Sequence, residues 1–239
     1  MLNAAASAAP SVALLDRQRL AQRETVVHSE PFAFLVAPGQ LPPQAAAELA
    51  RDFPRYAGAG FFPHDPAECG PAINRLIAEL VAPDFADAIG APLGIDDLSR
   101  FPVLVTLCRA LNRRHGTIHT DSKSKVVTAL LYLNERWPEG SEGCLRFLNR
   151  IDDIDDMVAP EIRPLYGNLV AFRRADNSFH GHLPWEGERR VIQVAWLTSE
   201  QDKQRKTRRG RFTRWIKQLF GRLDQRLGAN RDRNAAHRD

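Results

Sequence analysis

The chain has 239 residues, 44% of them hydrophobic and 26% charged, which suits one globular domain with terminal extensions. No apolar run approaches the roughly 18 residues of a membrane-spanning helix, and Cys69, Cys108 and Cys144 lack any CxxC spacing, which excludes a disulfide framework and points to reduced thiols. The net charge of +4 hides an asymmetry: positions 203–239 carry thirteen Lys and Arg against three Asp and Glu, so the remainder is net negative, and a whole-chain argument for nucleic-acid binding fails.

The Ala-rich start lacks a basic n-region and is interrupted by Pro10 and Ser11, unlike a signal peptide. Residues 1–24 read as a flexible leader and the protein as cytoplasmic. Pro31–Val36 reads as a strand, Gly39–Pro43 as a turn and Gln44–Phe53 as a helix opened by a proline pair. Apolar Ile73, Leu76, Ile77 and Leu80 at three-to-four spacing predict a helix over Pro71–Val81, followed by a short one near Asp84–Ile89. From Phe101 the period changes to two, with strands near 101–111, 116–120, 125–133, 144–148, 168–173, 178–182 and 189–197. Helices first and many short strands afterwards predict an α+β domain over residues 25–200. The acidic run Asp152, Asp153, Asp155 and Asp156 reads as a solvated loop, since it lacks the spacing and glycine of a calcium-binding hand. Beyond residue 200, Phe212, Trp215, Ile216, Leu219, Phe220, Leu223 and Leu227 recur at helical spacing among Arg and Lys. They predict an amphipathic basic helix that docks on its own domain or meets an acidic surface.

The chemistry concentrates in His119-Thr120-Asp121 and the later His180. Alternate residues of a strand face the same way, so His119 and Asp121 can point together into a barrel mouth. Two imidazoles and a carboxylate leave half of an octahedral iron(II) open. His182 shares the face of His180, and His180, His182 and Glu186 also form HxHxxxE. That pattern raises a cupin-type metal enzyme as an alternative, although Arg174 and Gln193 stand where its flanking glycines would fall. A third reading is a non-catalytic binding module acting through the basic tail.

Several further segments share an order: the VTxxxYLN run from Val127-Thr128 to Tyr132-Leu133-Asn134, Gly143-Cys144-Leu145, and Pro164-x-x-Gly167-Asn168-Leu169-Val170-Ala171-Phe172. With HTD, the second histidine and a late arginine, the stretch from about Phe101 to Leu197 resembles the iron(II)/2-oxoglutarate dioxygenase superfamily, particularly its prolyl-4-hydroxylase-like branch. The resemblance implies a double-stranded β-helix (jelly-roll) core over about 101–197, with the helices buttressing one sheet. It implies iron(II) on His119, Asp121 and His180, with 2-oxoglutarate and O2 as cosubstrates and ascorbate as a candidate reductant. Hydroxylation of a peptide prolyl or small-molecule substrate would release succinate and CO2. The family pattern, with Pro184 four residues on, favours His180 over His182 as the distal ligand.

The resemblance also assigns the cosubstrate pocket. A dicarboxylate needs a fixed cation at its far end, and arginine can grip a carboxylate with two hydrogen bonds. Arg189 and Arg190 both open the strand after the distal histidine. Counting back from Trp196 puts Val194, Ile192 and Arg190 on one face; if that face is inward, Arg190 is the anchor, with Arg189 as the alternative. Tyr132 takes the family's position for a phenol on the same carboxylate, and Thr128 is expected to line the same pocket. Arg109 is carried over near the iron-bound end, and Trp196 as a pocket wall or a core residue. Substrate identity, oligomeric state and the role of the basic tail are not legible, and no specific nucleic-acid partner is expected.

Overall fold

The computed structural model describes residues 13–22 and 24–209. Among the described residues, nine strands form two antiparallel sheets. β1 (Val26–His28), β2 (Phe34–Ala37), β3 (Phe61–Pro63), β4 (Val103–Leu111), β5 (Lys125–Tyr132), β7 (Leu169–Arg173) and β9 (Gly187–Leu197) make a seven-stranded sheet ordered β1-β2-β7-β5-β9-β4-β3. β6 (Arg146–Leu148) pairs with β8 (Phe179–Gly181) in a second, shorter sheet. Single bridges widen that sheet, joining His119 to His180, Leu148 to Met157 and Leu145 to Ile162. The expected strand near 116–120 therefore survives only as the bridge at His119.

The central strands of the long sheet are buried on both faces, while its edges stay exposed at Val26, Val27 and Phe61. One face carries Val127, Ala129, Leu131, Ile192, Val194 and Trp196 and packs against the helices, including α2 (Ala46–Asp52), α3 (Pro71–Leu80) and α4 (Pro83–Gly90). The other carries Phe34, Leu130, Tyr132, Val170, Phe172 and Val191 and meets Leu145 and Phe147 of the short sheet. Alternation across the strand sorts these sets. Proline at the first turn of both α3 and α4 suits a position whose N–H would be unpaired, and the apolar stripe of α3 (Ala72, Ile73, Leu76, Ile77 and Leu80) is wholly buried.

One expectation changes here, and another is decided between its two alternatives. The leader is not flexible throughout: α1 (Arg17–Leu20) and its approach bury Leu14, Leu15 and Leu20 in the helix-side core, and Glu79 accepts the backbone N–H groups of Leu14 and Leu15 at 2.7 and 2.9 Å. Three leucines and a cap are enough to fix a short segment with no helical pattern of its own. Of the two alternatives for Trp196 the core one holds, since it lies fully buried with the helix-side residues. At the other end residues 200–209 are helical, while the amphipathic stripe predicted from Phe212 to Leu227 lies outside the described residues. No described helix is long and apolar enough to cross a membrane.

Truncating a buried leucine costs about 2–5 kcal/mol when its site cannot collapse. Leu20→Ala should therefore lower unfolding stability by about 2 kcal/mol or more in urea melts, and deletion of residues 1–24 should lower it further; an unchanged midpoint for the deletion would show that the segment is dispensable.

Candidate metal centre

His119, Asp121 and His180 offer ligand atoms that all lie within 4.8 Å of one another. The chain folds this way because the segment around His119 is paired edge-on with β8. His119 and His180 exchange both backbone hydrogen bonds, each 3.0 Å, and their rings stand 4.4 Å apart. Gly181 makes the approach possible, since a Cβ there would come within 2.8 Å of the Gly116 carbonyl oxygen and 3.2 Å of Ile118 Cα.

Both imidazoles are oriented in the same way. Nδ1 of His119 lies 2.8 Å from the Thr117 carbonyl, and Nδ1 of His180 lies 2.9 Å from that of Ser178. A carbonyl only accepts, so each Nδ1 carries the proton and donates, and each Nε2 presents a lone pair. The His180 ring is walled by Phe172, with centroids 4.6 Å apart, and by Phe147 at 6.4 Å. His119 is exposed at the mouth.

Asp121 is buried, and each of its oxygens is held by a donor: Lys125 Nζ at 2.7 Å and Thr128 Oγ1 at 2.6 Å. Burial would raise its pKa, but the Lys125 ammonium, His180 and the two hydrogen bonds outweigh that and hold the carboxyl down at about 2. Burial, reinforced by His119, pushes His180 down to about 4 against the opposing pull of Asp121. At neutral pH both groups are therefore in the form a cation would bind, an ionised carboxylate and a neutral imidazole.

Farther along β5 a second polar cluster forms. Arg189 is buried; its Nε donates to the Gly143 carbonyl at 3.0 Å and its Nη2 to the Tyr132 hydroxyl at 3.2 Å. No carboxylate pairs with it among the described residues. Burial raises the pKa of Tyr132, with Arg189 pulling the other way. Thr128 and Tyr132 lie on one face of β5, four residues or about 13 Å apart, with Leu130 between them in the same apolar interior.

Several site expectations are corrected by this geometry. Arg190 is not the inward arginine. The period-two count along β9 holds, but Ile192, Val194 and Trp196 face the helices, so Arg190 lies on the outer side, where it pairs with Glu188. Val191 faces the barrel interior, and Arg189 goes with it. Thr128 meets Asp121 rather than Arg189. Arg109 sits half-buried in a bulge of β4, where the register shifts between Cys108 and Ala110; the hydrogen bonds of the triad do not include it.

His182 stands outside the triad, with its Nδ1 2.7 Å from the Leu183 carbonyl and its ring filling the space where a Cβ of Gly116 would sit. Burial, followed by the nearby Arg189, lowers its pKa to about 4. Glu186 is exposed, so the HxHxxxE reading does not assemble. Lys125 was missed by sequence reasoning. In a regular strand it and Thr128 would face opposite ways; an extra residue between Lys125 and Val127, seen against β9, reverses the parity.

This arrangement is a jelly-roll-like pair of sheets in which two histidines and an aspartate form a candidate cation site, with a buried arginine farther along. Residues 106–198 match the model of the 2OG-Fe(II) oxygenase superfamily. Among solved structures, a Pseudomonas putida prolyl-4-hydroxylase is similar over 77% of this chain and 97% of its own, with TM-score 0.51 and 21% identity, a likeness of fold. A Trichoplax adhaerens prolyl hydroxylase, in complex with a hypoxia inducible factor peptide fragment, has TM-score 0.47 and 15% identity over 78% of this chain and 89% of its own. No curated protein matches the chain.

Because the backbone leaves no room beside Gly181, Gly181→Ala should push the 116–118 segment away from β8. We expect metal affinity at least about tenfold weaker and stability lower by about 1–3 kcal/mol, read by calorimetric titration with Co(II) and by thermal melts. Wild-type values for both would show that the segment yields freely.

Proposed function

We propose that this chain is an iron(II)- and 2-oxoglutarate-dependent dioxygenase that hydroxylates a peptide prolyl or small-molecule substrate with release of succinate and CO2. The observation that carries the reading is a pair of complementary sites in one interior: a two-histidine, one-carboxylate set at the mouth and a buried arginine without a counter-anion farther in. The donor set fits iron(II), which prefers imidazole and carboxylate ligands in this facial pattern. Arg189 with Tyr132 fits the distal carboxylate of 2-oxoglutarate, because a buried guanidinium with no paired anion is costly unless a ligand supplies one.

In this reading His119 and His180 bind through Nε2, and Asp121 through one carboxylate oxygen while a donor keeps the other. Bound iron(II) with 2-oxoglutarate and O2 supplies oxidative decarboxylation coupled to hydroxylation. The protein's own part is placement and exclusion of water. Arg189 and Tyr132 fix the far end of the cosubstrate, Leu130 and Val191 give it apolar walls, and Phe172 and Phe147 keep water from His180. A prolyl substrate is supported by the name of the Pseudomonas putida protein of similar fold; the loop from Trp137 to Gly143 and the N-terminal half would set the choice. The basic segment beyond residue 209 is proposed to dock on this domain or to meet an acidic surface.

The assay is succinate release with iron(II) and 2-oxoglutarate. His119→Ala and Asp121→Ala should abolish turnover with the fold retained, and unchanged release in both would sink the metal assignment. Loss of one buried partner of a charge-assisted pair costs about 2–5 kcal/mol, and each 1.4 kcal/mol is about tenfold. Arg189→Ala should thus raise the apparent KM for 2-oxoglutarate about thirtyfold or more, and Arg190→Ala less than about threefold. The opposite order would move the anchor to Arg190.

A further inference from the structure

We propose that Lys125 is a positioning residue for the metal-binding carboxylate, delivered to it by the bulge that opens β5. The inference rests on the metal reading above and extends it to a residue outside the ligand set. The register of β5 against β9 steps from Lys125↔Leu197 to Val127↔Trp196, two residues against one. That extra residue turns Lys125 onto the face of Thr128, and both then reach the same carboxylate, at 2.7 and 2.6 Å. Without the bulge Lys125 would point to the helix side, among Val127, Ala129 and Leu131, where an ammonium has no partner. Bulges commonly re-aim a side chain beside a functional site.

The Lys125 side chain is only 13% exposed and that of Asp121 9%, so this is an enclosed pair rather than a surface one. Two donors on two oxygens fix the carboxylate plane before any metal arrives. Whichever oxygen the metal takes, the donor on the other still limits rotation of the carboxylate. The following helix closes the arrangement: Thr198 donates its N–H to the Ser124 carbonyl at 3.0 Å, and Lys206 Nζ lies 2.9 Å from Ser122 Oγ. Lys206 thus brings a second cation to the same turn without touching the carboxylate oxygens, which provides a control for charge alone.

The test is titration of the full chain with Co(II) alone, followed by calorimetry and by the visible absorption of the bound ion. Wild type should bind one equivalent; no binding would overturn the metal reading itself, and the clamp with it. Lys125→Met, which keeps the aliphatic stem, should weaken binding about tenfold or more and shift the visible spectrum. Lys125→Arg should recover affinity to within about threefold and restore the spectrum, which a merely structural role would not require. Thr128→Val, removing the donor to the other oxygen, should shift affinity in the same direction as Lys125→Met. Lys206→Met should stay within about threefold of wild type. Binding by Lys125→Met equal to or tighter than wild type, or a loss in Lys206→Met as large as that in Lys125→Met, would refute the proposal.

Discussion

The alternation of side chains across the seven-stranded sheet is the constraint on which the rest depends. A sheet covered on both faces cannot leave one side to water, so each strand must supply two sets of residues suited to two different interiors. Val127, Ala129 and Leu131 close against the helices, while Thr128, Leu130 and Tyr132 face the short sheet. The second interior is not uniformly apolar. It is apolar around Phe34, Phe147 and Phe172 and polar at Asp121 and at Arg189, and those two departures from an oily core are the candidate sites. The helices contribute no side chain to the triad; their role is to make the outer face so apolar that the strands cannot turn over.

Most of this organisation was legible in the chain. The period-two runs located β4, β5, β7 and β9 to within a few residues, and the three-to-four spacing from Ile73 to Leu80 located α3. Strength of pattern explains that success. β1 and β3, three residues each, carry too little periodicity to be seen, and α1 has no stripe at all; they are held by edge pairing and by the cap from Glu79, which are tertiary facts. HTD and the later histidine were legible for a different reason, since a ligand set constrains residue type as well as spacing.

The arginine shows how a correct pattern can yield the wrong residue. The period along β9 was read without error, but period two gives two faces and no label for either. Arg190 shares a face with Ile192, Val194 and Trp196 and is the anchor only if that face is inward, yet large apolar residues fit a helix-covered face equally well. What separates the faces is long-range: the partners of β9 are β4 and β5, and Tyr132, opposite Val191, looks toward the short sheet. Lys125 was hidden by the complementary effect, a one-residue insertion that reverses parity. A bulge leaves no compositional mark in Lys-Ser-Lys-Val-Val, so neither its presence nor its consequence can be counted out of the sequence.

Electrostatics joins the two polar departures. Asp121 is a buried anion that already has a cation beside it, whereas Arg189 is a buried cation whose partners among the described residues are neutral oxygens, the Tyr132 phenol and the Gly143 carbonyl. A fold optimised for stability alone would have no use for this asymmetry, because replacing a buried charge by a well-packed apolar side chain is often neutral or stabilising. The asymmetry does fit a site that receives a divalent cation at one end and a dicarboxylate at the other. A divalent cation would add positive charge where Asp121 is already compensated, and a dicarboxylate would carry one negative charge toward that end and one to Arg189. With both bound, every buried charge has a neighbour of opposite sign, and the Lys125 ammonium balances the remaining carboxylate. The two ligands carry opposite charges, so binding of either at its own end would favour binding of the other by the same amount.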